Sequence, residues 1–427
     1  MKKTLIILCF GIILFTGCND KVTEVVTYMV NEPVFMSPEE FRESLKITTN
    51  PVPISDYRKI CFYEGYIYIS SIEKGIHIID NRNPSNPQNI GFIEMSGNTD
   101  LIVSNGKLYA DTFMDLVWFD ISNPATPKLA GRLEDVFLKS HLPLPKPNND
   151  YPIATDLCLD LYANTKGIII GWEEIERTKT FTNEKRRNRK FFDIRKDYYD
   201  GILQSTVSIL EINPSVLRFA LYKNYLYTII NDQMSIIDFS ANEPRQVVKN
   251  KNINPASNIK TIFSYKDNMF VGTPARMHIY SLANPLNPEP IQMDLAWNVF
   301  SCNPIVIEND IAYTTIHAGN LCGQSTNELV IYDISNIKSP RQTGAYTMTK
   351  PQGLGISKGI LFICDEGLKI FNASNPQTLL AHYPNIAGHD VILSNNVLMI
   401  IAKDGLYQYD YSNLNNIRQL SKLPIGK

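Results

Sequence analysis

Short apolar runs, some alternating and some continuous, recur along the whole chain and are broken at close intervals by Gly, Pro, Asn and Asp. Runs of that kind predict strands joined by tight turns rather than long helices. One arrangement repeats: two apolar β runs around a polar turn, a hydrophobic third strand ending on an acidic or polar residue, an Asn-Pro turn, and a last strand. Its clearest copy runs through Asp100–Ala110, Leu116–Asp120, Ser122–Pro127 and Lys128–Leu133. The third strand returns as Ile76–Asp80, Val207–Glu211, Met234–Asp238, Met277–Ser281, Leu329–Asp333, Leu368–Asn372 and Leu406–Asp410, which with Leu116–Asp120 makes eight copies.

Alternation in the third strand sends one set of side chains to the sheet before it and the other to the sheet after it. The Ser-Asn-Pro that follows stops the strand, because Asn bonds its own backbone and Pro removes a ladder donor. Four short strands in about 40 residues match one propeller blade, which exposes two apolar faces and must stack on its neighbours. The expected fold is therefore all-β, a β-propeller of about eight four-stranded blades. Unit three is irregular: Asp156–Tyr162 and Gly167–Trp172 read as its first strands, but a polar insertion near residues 176–205 precedes the third. Seven blades is the alternative if that unit is merged or incomplete.

Residues 57–427 form the expected propeller, 18–56 a linker with a short helix, and 1–17 a signal peptide. Ser37, Pro38 and Glu40 supply an N-cap, a first-turn proline and an N3 acid, so a helix should start there. The β-rich run Val22 to Val34 is expected to add a strand to the last blade and close the ring. Lys2 and Lys3 precede an apolar run from Leu5 to Phe15, too short for the roughly 20 residues that span a bilayer. Composition fits export of a globular protein: 427 residues, 44% hydrophobic, with 41 basic against 43 acidic residues. The near-neutral balance gives no reason to expect nucleic acid.

Leu14–Cys18 resembles the lipobox of bacterial lipoproteins, which implies that Cys18 is diacylated and becomes the N-terminus. Anchoring would follow from acyl chains burying at about 0.8 kcal/mol per CH₂. The repeated third strand, reading Ile76–Asp80 in its first copy, resembles that of the LVIVD-repeat family of β-propeller proteins, over nearly all of residues 57 to 425. The resemblance extends to Cys302–Ile307, Leu321–Gly323 and Leu361–Lys369. Within that family the chain is similar to exported lipoproteins of Gram-negative envelopes, mostly of unassigned function, which implies a membrane partner through the anchor and an outer-membrane location. Cys61, Cys158 and Cys364 lie in apolar runs and read as buried small hydrophobes. Cys302 and Cys322 flank a strand and a polar loop, and in an oxidising compartment a disulfide between them is expected. No metal-ligand spacing occurs and no cofactor is expected.

In a blade with strands a to d, the d-to-a and b-to-c connections share one face. Every long insertion falls there: 136–155, 176–205 and 316–328. Loops held by a rigid scaffold are where binding residues concentrate. Aligned on their second strands, the units place Lys59, Asp100, Asp156, Arg218, Thr261, Pro304, Gly353 and Asp390 at the channel mouth on that face. Trp172, Tyr198, Tyr199 and His317 lie in or beside the insertions, where aromatics can stack on sugars or anchor a protein. Gly355, Ser357 and Gly359 fit the GxSxG nucleophile spacing, but Ser357 aligns with the a-to-b turns of other units and is followed by a strand. Glu173, Glu174 and Glu176 and the basic run Lys185–Lys190 read as solvated surface. The expected function is non-catalytic binding of a protein or ligand. Alternatives are glycan binding in a nutrient uptake system, or a glycosidase or lyase using mouth carboxylates.

Overall fold

The computed structural model describes residues 22–55, 57, 59–71, 74–137, 149, 151, 153, 167–183, 219–230, 232–241, 243–253, 256, 259, 261–273, 276–291, 304–319 and 325–426. The chain divides into two compact units, one of residues 1–34, 146–159 and 171–211 and a larger one of 35–145, 160–170 and 212–427.

The larger unit is an all-β propeller. Among the described residues seven antiparallel sheets span residues 60–94, 101–133, 219–252, 261–290, 305–347, 351–383 and 390–424, each with its four strands in chain order. The expectation of eight blades is thus corrected to seven. Unit three does not build a blade among the described residues: Ile168–Asn183 is one strand of 16 residues, too long for a blade, and it pairs with Val22–Met36 in a two-stranded sheet. The reading of 176–205 as a b-to-c connection falls with that blade, since 176–183 lie inside the strand. Asp156–Tyr162 and Val207–Glu211 lie outside the described residues.

Two local devices recur in the blades. The residue that closes strand c accepts the backbone N–H two positions on, at Asp80, Asp120, Asp238, Ser281, Asp333, Asn372 and Asp410. That bond turns the chain out of the sheet, which is why the hydrophobic run ends on a short polar side chain. Each a-to-b turn opens on a residue with positive φ: Glu64, Asn105, Lys223, Lys266, Asn309, Lys358 or Asn395. These hairpins match the right-handed twist of their strands.

The blades hold together through an apolar cluster at every interface. Ile76 and Ile78 of the first blade pack with Leu108 and Phe119 of the second, while Ile79 on the opposite side of the same strand packs with Met399 and Leu406 of the seventh. The remaining interfaces are built alike. Each fully buried Ile in them is worth about 1.5–3 kcal/mol of transfer free energy.

Closure differs from the expected strand addition to the last blade. The run Val22 to Val34 pairs with Ile168–Asn183 instead, and Lys46–Thr48 adds a fifth, outermost strand to the first blade. The ring is joined by side chains and by the segments that flank the first and last blades. Asn81 and Gln408 exchange amide hydrogen bonds of 3.0 and 2.6 Å, and Gly426 N–H donates to the Ile54 carbonyl at 2.7 Å. Helix Pro38–Glu43 forms as expected, with Ser37 and Glu40 in a reciprocal capping box. It buries Phe41 against the second and third blades and extends Arg42 to the buried Asp115, which also holds Arg132 at 2.7 Å.

In the smaller unit, Val30 is buried against Tyr28 and Ile175. Asn31 Nδ2 donates to Asn149 Oδ1 and the Tyr151 carbonyl, and Arg177 pairs with Glu32 at 3.3 Å.

Candidate binding face at the channel mouth

Strand register fixes which residues open each innermost strand. Cys61 faces Tyr68, Ile102 faces Tyr109, Ala220 faces Tyr227, and the other blades follow in step. Two positions earlier stand Lys59, Asp100, Thr261, Pro304, Gly353 and Asp390, the places assigned from the sequence. Arg218 holds the third blade's place in the register but lies, with Asp156, Tyr198 and Tyr199, outside the described residues. Cys18, Cys158, Cys302 and Cys322 lie outside them too.

Lys59, Asp100 and Asp390 come from three consecutive blades. Lys59 Nζ is 3.9 Å from Asp100 Oδ1. Asp100 is buried and well partnered: one oxygen accepts its own strand's Leu101 N–H at 2.8 Å, and the other accepts Phe219 N–H from the next blade at 3.0 Å. It therefore staples two blades. Asp390 accepts the matching N–H, that of Val391, at 2.8 Å. Among the described residues no neighbouring blade supplies it a second donor. Burial pushes the Asp390 carboxyl above the usual carboxylate range, opposed by the Val391 N–H and by the charges of His389 and Lys59.

His389 and Tyr57 complete the cluster. The Tyr57 hydroxyl is hydrogen-bonded to His389 Nε2, and the two rings lie 15° from parallel with centroids 6.1 Å apart. Burial, then the Asp390 charge, pushes the Tyr57 hydroxyl up to about 12. Partial burial lowers His389 against the pull of Asp390, which favours the neutral imidazole. Gly353 is required here by close approach, since a Cβ would lie 2.4 Å from Asp390 Oδ1. The result is a partly exposed set of one ammonium, one under-partnered carboxyl, an imidazole and a phenol, suited to hydrogen-bonding a polar ligand.

Two buried carboxylates that sequence reasoning missed brace the loops of this face. Asp111 accepts the N–H groups of Thr99 and Asp100 and the Asn98 amide, and Asp365 accepts those of Thr349 and Lys350 as well as Lys369 Nζ at 2.7 Å. Each ties a d-to-a connection to the end of strand b. The legible signal was an Asp ending an apolar second strand. Tyr57 was missed for want of any local signal, because its partner is 332 residues away.

His317 sits in the b-to-c connection of the fifth blade, half-buried, with Nδ1 buried and without a hydrogen-bond partner among the described residues. Trp172 is half-buried in strand Ile168–Asn183 and belongs to the smaller unit, so it is not one of the blade residues at the mouth. Cys364 is buried and Cys61 half-buried, both free thiols. Ser357 ends a strand, and Lys358 and Gly359 follow at φ 52° and 75°, a hairpin turn rather than a strand-to-helix elbow.

On the opposite face, side chains at the a-to-b turns of the third and fourth blades bond across to the next blade. Tyr222 and Lys223 reach Asp267, and Tyr265 and Lys266 reach Asp310, in each case in the next blade. Glu308 accepts the Gly359 N–H at 2.8 Å.

The LVIVD repeat family matches residues 56–93, 98–135 and 323–348, so the chain carries LVIVD repeats in its first, second and fifth blades. No curated protein matches the sequence significantly. Among solved structures the chain is similar to the computationally designed Ika8 protein, at 9% identity over 88% of each chain with a TM-score of 0.46. It is also similar to Hsv2 of Kluyvelomyces marxianus, at 10% identity over 86% of this chain and 99% of that one, with a TM-score of 0.43. A third similarity is to the extracellular domain of BT4673 from B. thetaiotaomicron, at 13% identity over 89% of this chain and 40% of that one, with a TM-score of 0.41. The count of seven blades rests on this chain's own sheets.

Proposed function

We propose that this LVIVD-repeat propeller is a lipid-anchored binding scaffold of the cell envelope, without chemistry of its own, and that it takes a protein or glycan partner on the face of the d-to-a and b-to-c connections. One observation carries the reading: an under-partnered carboxyl is held at the channel mouth. On the a-to-b face the turn lysines of the third and fourth blades pair with the next blade, and one Glu308 oxygen accepts a backbone N–H. At the mouth of the other face, Asp390 is half-buried with a single backbone donor among the described residues, and its ionisation is disfavoured by the fold. A group kept at the expense of stability is a mark of function. Glycan binding by the same face would use Asp390, Lys59 and His389 for hydroxyl contacts. The hydrolase alternative is weakened at Asp100, whose two oxygens are both committed to backbone N–H groups.

Crosslinking of intact cells carrying a tagged copy, followed by denaturing purification and mass spectrometry, tests the scaffold reading. Crosslinks to one recurrent partner should map to residues 95–100, 317–327 and 384–389 and fall away in Asp390→Ala. Crosslinks confined to the a-to-b turns, or unaltered by that substitution, overturn it. The anchor is tested by fractionation: Cys18→Ala should leave the membrane fraction, and its retention there refutes lipidation.

A further inference from the structure

Seven blades built on one pattern act as controls for one another, and one of them lacks a plug. The residue after the short polar side chain that closes strand c packs into the preceding blade: Ile121, Phe239, Leu282, Ile334 and Tyr411 each fill an interblade cluster. In the first blade Asn81 makes its amide pair with Gln408 at that point. The sixth blade has Ala373. A cavity of about 790 Å³ opens there between blades five and six, on the a-to-b side. That volume is in the roughly 300–1,000 Å³ range of small-molecule sites.

Neighbouring side chains have adapted to the gap. Tyr68 and Tyr227 donate to the corner proline carbonyls of the next blade, Pro124 at 3.0 Å and Pro285 at 2.8 Å. Tyr313, at the same register position, instead donates to the Ala373 carbonyl at 3.2 Å, three residues short of the corresponding Pro376. Its ring thereby forms a wall of the cavity. Tyr346 provides a second wall, lying so close over its own strand that a Cβ on Gly344 would meet the ring at 2.7 Å. Glu308 and Lys358 stand at the cavity, one from each blade, and their charges cancel. Thr343 adds a hydroxyl.

From this geometry we infer that the groove between the fifth and sixth blades is a second binding site, and that it takes a neutral saccharide ring. Tyrosine faces suit the C–H faces of a sugar. Carboxylate, ammonium and hydroxyl groups suit its hydroxyls, and a rim of zero net charge offers nothing to a net-charged ligand. The inference stands apart from the proposed partner face, which lies on the other side of the ring.

The test is saturation-transfer NMR on the full chain with methyl glucoside, methyl galactoside, methyl mannoside and N-acetylglucosamine, and with leucine as a zwitterionic control. At least one sugar should receive saturation from the wild-type protein. Ala373→Ile restores the side chain of blades two and five; it should keep the fold by circular dichroism and weaken binding at least tenfold. Tyr346→Ala should weaken the same sugar and serves if Ala373→Ile does not fold. No transfer to any of the sugars, transfer unchanged in these variants, or transfer to leucine alone overturns the inference.

Discussion

The joint between the seventh and first blades is the most exacting place to test how this ring is held. Strand c of every other blade carries Ile or Trp at its centre, at Ile78, Trp118, Ile236, Ile279, Ile331 and Ile370, whereas the seventh carries Gln408. Gln408 is fully buried, Asn81 is 3% exposed, and their amides satisfy each other. Replacing Gln408 by Ile strands one donor and one acceptor on Asn81. A buried unsatisfied polar group costs about 1–3 kcal/mol, so the single variant should lose roughly 2–4 kcal/mol. Asn81→Leu alone should cost about as much. The pair Asn81→Leu/Gln408→Ile installs the contact the other blades use and should return to within about 1 kcal/mol of wild type, since replacing both partners by apolar groups is nearly neutral. The coupling read from a urea-denaturation cycle is then about 2 kcal/mol or more, well above the few tenths expected of independent sites. Additive losses in the double variant would falsify the account. If the pair also specifies which blade ends meet, the double variant will show oligomers by size-exclusion chromatography while its monomer remains stable.

Four further outcomes follow from the same geometry. Asp115→Ala leaves Arg42 and Arg132 without their buried partner and should cost about 3–5 kcal/mol by chemical denaturation. Burial raises the Asp115 carboxyl, but hydrogen bonds from Arg42, Asp135 N–H and Arg132 together hold it below 3.8. Its contribution is therefore full above that value and lost as pH falls through the lower folded pKa, so the wild-type advantage over Asp115→Asn should shrink on acid titration. Asp390→Asn should be more stable than wild type at pH 7, because the Asp390 carboxyl is raised in the fold; the gain should vanish as pH falls below 3.8, and a loss of stability at neutral pH contradicts the burial argument. Gly131→Ala places a Cβ 2.1 Å from Trp118 Cζ2 and should cost about 1–3 kcal/mol with a changed tryptophan emission. Thiol labelling of the denatured, unreduced protein should leave Cys302 and Cys322 unlabelled, and labelling at either refutes the disulfide.

Much of the propeller was legible because its determinants are local and repeated. A strand c that alternates, ends on Asx and is followed by Asn-Pro encodes its own length, both of its buried faces and its stop, so Ile76–Asp80 or Leu329–Asp333 can be read without knowing what they touch. The register then placed Lys59, Asp100, Gly353 and Asp390 at the channel mouth as soon as the strands were aligned. Helix Pro38–Glu43 was readable for the same reason, since Ser37, Pro38 and Glu40 act within one turn.

Tertiary structure decided what depends on choice of partner. The run at 22–34 and the strand beginning at Ile168 were each correctly β-rich, but hydrogen-bonding capacity along a strand does not name its neighbour. They pair with each other, and that pairing removes a blade from the count. The same holds for Tyr57 with His389, Arg42 with Asp115 and Asn81 with Gln408, contacts across 332, 73 and 327 residues. In sequence these are ordinary polar residues, and only a closed ring brings them together. The gap at Ala373 has the same origin: an alanine after an Asx turn is unremarked along the chain, and it becomes a cavity only when the neighbouring blade is set against it.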